Sequence, residues 1–377
     1  GMLSQDYLVS QVVEDTDKLY SGMATVLVDD ELVDQFYSGE NIFITKEFAA
    51  EQKVALYPNI FLMLVSSYNE KKTALCRYYN CNKPVDRLLD CKNNLNWGVQ
   101  PRNKEQTFAF DLLMDPDIHL VTLTGQAGSG KTLCAIAAGM EQSVTFGKMF
   151  NNKLDTKHKM EVAKRYQSPE EEEEGVSFNK MGVSRPVQPM GKDIGFLPGT
   201  MAIAAGLQQT IGLRSENNHY DRLIVSRPVQ PLGKDIGFLP GTMEEKMMPW
   251  LKPIQDNIQF IVGNDKIIME QLMESGAIEL EALTYIRGRS ISNSFIIVDE
   301  AQNLTAHEVK TIITRAGEGT KVVLTGDIEQ IDNVYTNETS NGLTYAIEKF
   351  KGSVISGHVS FKKGERSRLA TEAAKRL

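Results

Sequence analysis

The sequence predicts an α/β protein, a parallel sheet with helices on both faces, preceded by a small β-rich unit. Three observations carry that prediction. A glycine-rich loop, Gly125-Gln126-Ala127-Gly128-Ser129-Gly130-Lys131-Thr132, lies between an apolar run at 118–124 and a helix-forming stretch at 133–142. A second apolar run, Phe295-Ile296-Ile297-Val298, ends in Asp299-Glu300. A third, Lys321-Val322-Val323-Leu324-Thr325, ends in Gly326-Asp327. Continuous runs of β-formers suit strands buried on both faces, and helices between such strands make the sheet parallel.

Taken in order, residues 1–18 are polar and read as a linker or tail. Over 19–92 short apolar runs (24–28, 41–45 and 61–65) alternate with Asp-Asp, Ser-Gly-Glu and Tyr-Pro-Asn punctuation, which predicts the β-rich domain. Residues 93–377 form the second expected domain. Its glycine-rich loop fits G-x-x-x-x-G-K-[ST], the phosphate-binding P-loop. Glycines let the backbone curl so that successive N–H groups face phosphate oxygens. Lys131 then reaches the β/γ-phosphates, and the Thr132 hydroxyl can ligate Mg²⁺. Strand, loop and helix in that order place the phosphates at a helix N-terminus.

Residues 152–175 are hydrophilic and read as an insertion. Asn152-Lys153-Leu154-Asp155 fits a guanine-reading pattern but sits in that polar insertion, away from any late buried strand, so it is rejected. An internal duplication follows. Residues 183–200 and 225–242 differ only at Met190 versus Leu232. Part of the preceding helix is repeated too, as Ala-Ile-Ala-Ala-Gly at 135–139 and 202–206, so the inserted unit spans about 143–201. Only one copy can fill a given slot in a parallel sheet. The second is expected to fill it, because the chain runs on from it without interruption.

The run at 295–298 ends in paired carboxylates, where open α/β sheets place ligand groups. Asp299 would hold Mg²⁺ through water, and Glu300 would orient the attacking water. After the third run, Thr325, Asp327 or Gln330 could sense the γ-phosphate. Upstream, the Gln106 amide can donate and accept at once, which suits an adenine edge. Gly364-Glu365-Arg366-Ser367 offers an arginine for the γ-phosphate.

Composition narrows the class. The chain has 377 residues and a net charge of −8, five of the acidic residues lying in the block Glu170 to Glu174. The stretch 362–376 is locally basic, so a nucleic-acid surface would have to be a patch. No stretch approaches the ~20 apolar residues of a membrane span, and no secretory leader is visible. Gly1 before Met2 suggests that the natural start lies upstream. The four cysteines show no C-x-x-C spacing and read as free thiols in a reducing cytoplasm.

Together these motifs resemble one family. Asn103, Gln106 and Ala109 look like the adenine-reading motif of superfamily 1 helicases. The P-loop, the Val298-Asp299-Glu300-Ala301-Gln302 box, Leu324-Thr325-Gly326-Asp327 with Gln330, and Gly364-Glu365-Arg366-Ser367 occur in helicase order. Ser226-Arg227-Pro228, Gly237-Phe238-Leu239-Pro240-Gly241, Tyr285-Ile286-Arg287-Gly288-Arg289 and Gly317-Glu318-Gly319-Thr320 are similar to phrases of the PhoH-like ATPases, over about residues 95–377. The resemblance implies a RecA-like P-loop NTPase core that hydrolyses ATP with Mg²⁺. It implies a homo-oligomeric ring, a hexamer, in which Arg366 reaches a neighbour's nucleotide. It also implies coupling to single-stranded RNA, with Arg227, Arg287 and Arg289 as phosphate contacts. The duplication puts the role of Arg185 or Arg227 in question.

Longer members carry an N-terminal PIN ribonuclease domain. Residues 1–18 look like only its trailing linker, so no nuclease activity is expected of this chain. The expected chemistry falls to Lys131, Glu300, Gln330 and Arg366. Nucleotide binding falls to Gln106, Gly125, Gln126, Ala127, Gly128, Ser129, Gly130, Lys131, Thr132 and Asp299, with Thr132 and Asp299 on Mg²⁺. A nucleotide-dependent assembly switch without motor activity, and a small-molecule kinase, are the competing readings. The paired carboxylates and the second amide motif suit water activation better than the kinase.

Overall fold

In a computed structural model, residues 19–90, 97–144, 219–228, 243–283, 290–333 and 335–362 are described. The first half of the chain begins with β1 (Met23–Val28), α1 (Asp30–Ser38) and α2 (Lys46–Glu51). It continues through β2 (Ile60–Ser66), β3 (Thr73–Tyr78) and β4 (Asp86–Arg87). These strands form one mixed sheet in the order β1-β2-β3-β4, with β1 and β2 parallel and the other pairs antiparallel.

The expected strand at 41–45 is not one. Ile42 and Ile44 are buried and Phe43 is exposed, so the backbone is extended, but it joins no ladder. Thr45 instead caps α2, its side chain accepting from the Phe48 amide. The two helices were also not expected in a β-rich unit. Asp30 and Glu31 favour the start of α1, and Gly39 in a left-handed conformation ends it. Val33 and Phe36 face the sheet's core.

The second sheet has six strands, all parallel, in the order β10-β5-β9-β8-β6-β7. Its elements in chain order begin with α3 (Lys104–Met114), β5 (Leu120–Gly125), α4 (Lys131–Ser143) and β6 (Arg222–Arg227). Then come α5 (Met243–Ile261), α6 (Lys266–Glu274), β7 (Ile278–Ala282) and β8 (Ser294–Val298). The last are α7 (Ala306–Ile313), β9 (Lys321–Gly326), α8 (Gly342–Phe350) and β10 (Ser356–Phe361). Val121, Leu123, Phe295 and Ile297 pack on the α3–α4–α5 side. Leu120, Ile296, Val298 and Leu324 pack on the α7–α8 side. Successive strand residues thus supply opposite cores, as a sheet covered on both faces requires. No described helix is long and apolar enough to cross a membrane.

Strand β6 carries the start of the second copy of the duplicated phrase, Val225 to Arg227, as its run-on sequence predicted. The first copy, with Arg185, lies outside the described residues.

The two sheets meet along α3. Phe61 stacks on Phe108 with ring centroids 4.4 Å apart and planes 10° apart. Arg77 of β3 reaches Asp111 at 3.1 Å and Asp115 at 2.6 Å. The Asn59 amide donates to the carbonyls of Val354 and Ser356 at 2.9 Å.

Candidate functional site

Parallel strands end at one edge, so the register of the sheet assembles the site. Thr124 pairs with Gly326, Leu324 with Val298, and Val298 with Ser226. The residues just past these positions form a continuous rim: the P-loop after β5, Asp327 after β9, Asp299-Glu300 after β8, and Arg227 closing β6. This is the carboxyl edge where open α/β sheets bind ligands.

Gly130 caps α4 in a left-handed conformation, with φ 92°. That φ favours glycine, and a Cβ there would also press on the Gln106 amide nitrogen at 2.9 Å. The Lys131 ammonium lies folded across the loop, donating to the carbonyls of Gly125 at 2.6 Å and Gln126 at 3.0 Å. Ser129 is fully buried, and its carbonyl accepts from Gln106 at 3.0 Å.

Gln106 does not present a free amide. Its oxygen accepts from the Arg102 amide at 2.8 Å while its nitrogen braces Ser129. Asn103 caps α3 by accepting from the Gln106 backbone. The amide expected at adenine lies against the P-loop, on the Ser129 carbonyl.

The Thr132 hydroxyl donates to Asp299 Oδ1 at 2.8 Å, and the Thr325 hydroxyl donates to the same oxygen at 2.6 Å. The two expected Mg²⁺ ligands thus meet at hydrogen-bond distance. Hard oxygen donors, one carboxylate and one hydroxyl, suit Mg²⁺, which takes few protein ligands and fills its sphere with phosphate and water. Among the described residues no cluster of three or more His, Cys, Asp or Glu could hold a metal by itself.

Glu300 follows with φ 55° and ψ 37°, a left-handed conformation that non-glycine residues rarely adopt. Its Oε1 accepts from Arg227 Nη2 at 2.8 Å and its Oε2 from Gln302 Nε2 at 2.6 Å. Gln302 is 1 % exposed. Its nitrogen also donates to the Gln330 carbonyl, and its oxygen accepts from the Asp327 amide at 3.1 Å. Asp327 in turn accepts from the Ala127 amide. A chain of contacts therefore runs from the tip of the P-loop through Asp327 and Gln302 to Glu300 and Arg227.

Sequence reasoning named Gln302 only as the end of a box and gave it no role. Its place at the end of that box, two residues after the paired carboxylates, was the available signal. Arg227, expected on phosphate, contacts Glu300. Gln330 contributes its backbone carbonyl, and its side chain is exposed. Arg287, Arg289 and Arg366 lie outside the described residues.

Comparison with known proteins gives this site a lineage. A family model described as PhoH-like protein matches residues 200–375. Protein PhoH2 of Bacillus subtilis (strain 168) is 38% identical over 376 residues, 99% of this chain and 68% of that protein. Protein PhoH2 of Thermobispora bispora is 28% identical over 372 residues, 98% of this chain and 65% of that protein. A PhoH-like protein of Bacillus subtilis is 41% identical over 110 residues, 29% of this chain and 33% of its own length. The chain thus spans about two thirds of the length of the two PhoH2 proteins. With the P-loop, the paired carboxylates and the parallel sheet between them, these likenesses establish that the chain belongs to the PhoH-like family of P-loop ATPases.

Proposed function

We propose that this protein hydrolyses ATP with Mg²⁺ and couples the cycle to single-stranded RNA. The observation that carries the hydrolytic reading is the meeting of Thr132 and Asp299 at 2.8 Å with Glu300 beside them. When bound, Mg²⁺ neutralises charge on the β- and γ-phosphates. The loop amides and Lys131 hold those phosphates, with Lys131 exchanging its loop carbonyls for phosphate oxygens. Thr132 and Asp299 hold the metal. Glu300 accepts a hydrogen bond from water and aims its oxygen at the γ-phosphorus. As the water oxygen bonds to the γ-phosphorus, the bond to the β–γ bridging oxygen breaks, giving ADP and phosphate, and the proton of the water leaves with the phosphate or to solvent. Residues 93–377 are the ATPase unit in this reading, and residues 19–92 a distinct one packed on it.

The RNA partner, the cytoplasmic setting and a hexameric ring with Arg366 at a neighbour's nucleotide rest on the family resemblance. The locally basic stretch at 362–376 supports a nucleic-acid patch on an otherwise acidic chain.

The test is ATP turnover against protein concentration, with and without single-stranded RNA. Lys131→Ala and Glu300→Gln should each lower turnover by roughly 10²-fold or more. Turnover near the wild-type rate in either variant overturns the catalytic assignment. RNA stimulation that weakens as salt rises supports the coupling, because phosphate contacts release counterions. Intact turnover with no RNA binding at low salt would leave the assembly-switch reading. Turnover per subunit that stays constant on dilution would remove the ring.

A further inference from the structure

We infer that Arg227 is a positioning residue for Glu300, acting on the chemistry through that carboxylate and not by gripping a phosphate. The inference rests on the reading of Glu300 as the group that orients water.

The backbone brings the pair together. Ser226 lies opposite Val298 in the ladder, and the Asp299 amide still donates to the Ser226 carbonyl at 2.8 Å. Strand pairing therefore continues one residue past β8 and delivers Glu300 to Arg227 at the end of β6. The left-handed backbone at Glu300 then turns its side chain, a conformation that persists only where its surroundings over-determine it.

The side chains complete the restraint. Arg227 holds Oε1 at 2.8 Å from β6, and Gln302 holds Oε2 at 2.6 Å from the turn at Ala301–Asn303. A carboxylate held through one oxygen can still swing about its last bond. One held through both oxygens, by donors on different elements, has its plane fixed. Each oxygen offers about two acceptor sites, so each keeps one for water. The Arg227 and Glu300 side chains are 21% and 33% exposed. At that exposure an ion pair adds little to fold stability. Its effect falls on orientation, where a misplacement of about 1 Å can cost roughly 10²-fold in rate.

Arg227 spends an Nη2 donor on the Glu300 carboxylate at 2.8 Å, and that negative charge offsets the pull of the guanidinium on a phosphate. Lysine at this position could meet the same oxygen as a flexible point charge, without the rigid plane of the guanidinium.

The experiment is steady-state ATP turnover by the full chain and by Arg227→Ala, Arg227→Lys, Glu300→Gln and the Arg227→Ala/Glu300→Gln double variant. Binding of a fluorescent ATP analogue and of a labelled single-stranded oligouridylate is read alongside. Arg227→Ala should lower kcat by roughly 10- to 100-fold and leave KM for ATP within about threefold. Arg227→Lys should recover part of that loss. The double variant should match Glu300→Gln, since two residues acting as a unit are not additive.

An Arg227→Ala kcat that is unchanged or raised overturns the inference. So does an additive loss in the double variant, or a loss of oligouridylate affinity with basal turnover intact. Should Arg227→Ala not fold, the same readouts on Arg227→Lys decide, since the lysine retains the charge. Glu300→Gln separates the two levels. If it turns over ATP normally, the reading of Glu300 fails and takes the inference with it. If it is inactive while Arg227→Ala is normal, only the inference fails.

Discussion

Asp327 Oδ2 accepts a hydrogen bond from the Ala127 amide at 2.8 Å, so the loop after β9 grips the tip of the P-loop. Asp327 is buried and its own amide is held by Gln302. The nucleotide loop is therefore shaped by a neighbouring strand as well as by its own glycines. Asp327→Ala removes a charge-assisted bond of about 1.5–3 kcal/mol. Part of that loss should appear as nucleotide affinity, with KM for ATP rising roughly tenfold in steady-state turnover. An unchanged KM would show that the loop holds its shape alone.

Gly326 is the residue against which Gln302 is wedged. A Cβ there would run into the Gln302 side-chain oxygen and lie 2.7 Å from Leu343 Cδ2. Gly326→Ala should displace Gln302 and free one oxygen of Glu300. The expected result is a kcat reduced about tenfold, with thermal stability lowered by about 1–3 kcal/mol from overpacking. Normal kcat in a folded variant would remove Gln302 from the support of Glu300.

Lys321 is a cation in the core. It is fully buried on β9, and its ammonium donates to the carbonyls of Leu112, Leu113 and Asp115 at the end of α3, at 2.7–3.2 Å. Helix ends leave such carbonyls without partners, and Lys321 supplies the donor. Burial pulls its ammonium down to about 7, against the attraction of Asp115. The unfolded chain then binds the extra proton above that pH, so this group makes stability rise as pH climbs above about 7. Burial holds the Cys76 thiol up to about 12, which costs stability once an unfolded thiol would ionise, above about pH 8.5. The clean window is therefore about pH 7 to 8.5. Denaturant titrations should show stability rising across it in the wild type and flat in Lys321→Met. The variant should also lose about 1–3 kcal/mol at neutral pH from the stranded carbonyls.

His358 sits fully buried on β10, with Nδ1 3.0 Å from the Thr122 carbonyl and Nε2 2.9 Å from the Ser360 hydroxyl. Burial drives its imidazole down to about 3, opposed by the Thr122 carbonyl. A depressed histidine contributes stability that is complete above the unfolded value of about 6.5 and is lost as pH falls toward 3. Its ring is 5.8 Å from that of Tyr20, on the seam with the small sheet. Acid should therefore destabilise the protein by on the order of 3–5 kcal/mol between pH 6.5 and 3 through this group. His358→Gln, read by thermal melts at stepped pH, should remove most of that slope.

The parallel sheet was legible because each of its central strands is a run of β-formers ending in polar chemistry, as at 294–298 and 321–326. The Thr132–Asp299 meeting was legible for the same reason, since parallel strands must end together. The segment 41–45 misled because alternating burial marks an extended chain and says nothing about a ladder partner. Lys321 heads a strand, and nothing local signals that it will cap a helix two hundred residues earlier in the chain. The Arg227–Glu300 pair also depends on strand order, which propensity does not encode. The left-handed backbone at Glu300 has no local signature, because glutamate is a poor residue for it.

Helix α3 is held at three points along its length: by the P-loop at Gln106, by Phe61 at Phe108, and by Arg77 and Lys321 at its far end. Its 11 residues span about 16 Å. Mechanically it is a tie rod. One continuous helix thus joins the Phe61 ring of the small sheet to the Ser129 carbonyl of the glycine-rich loop.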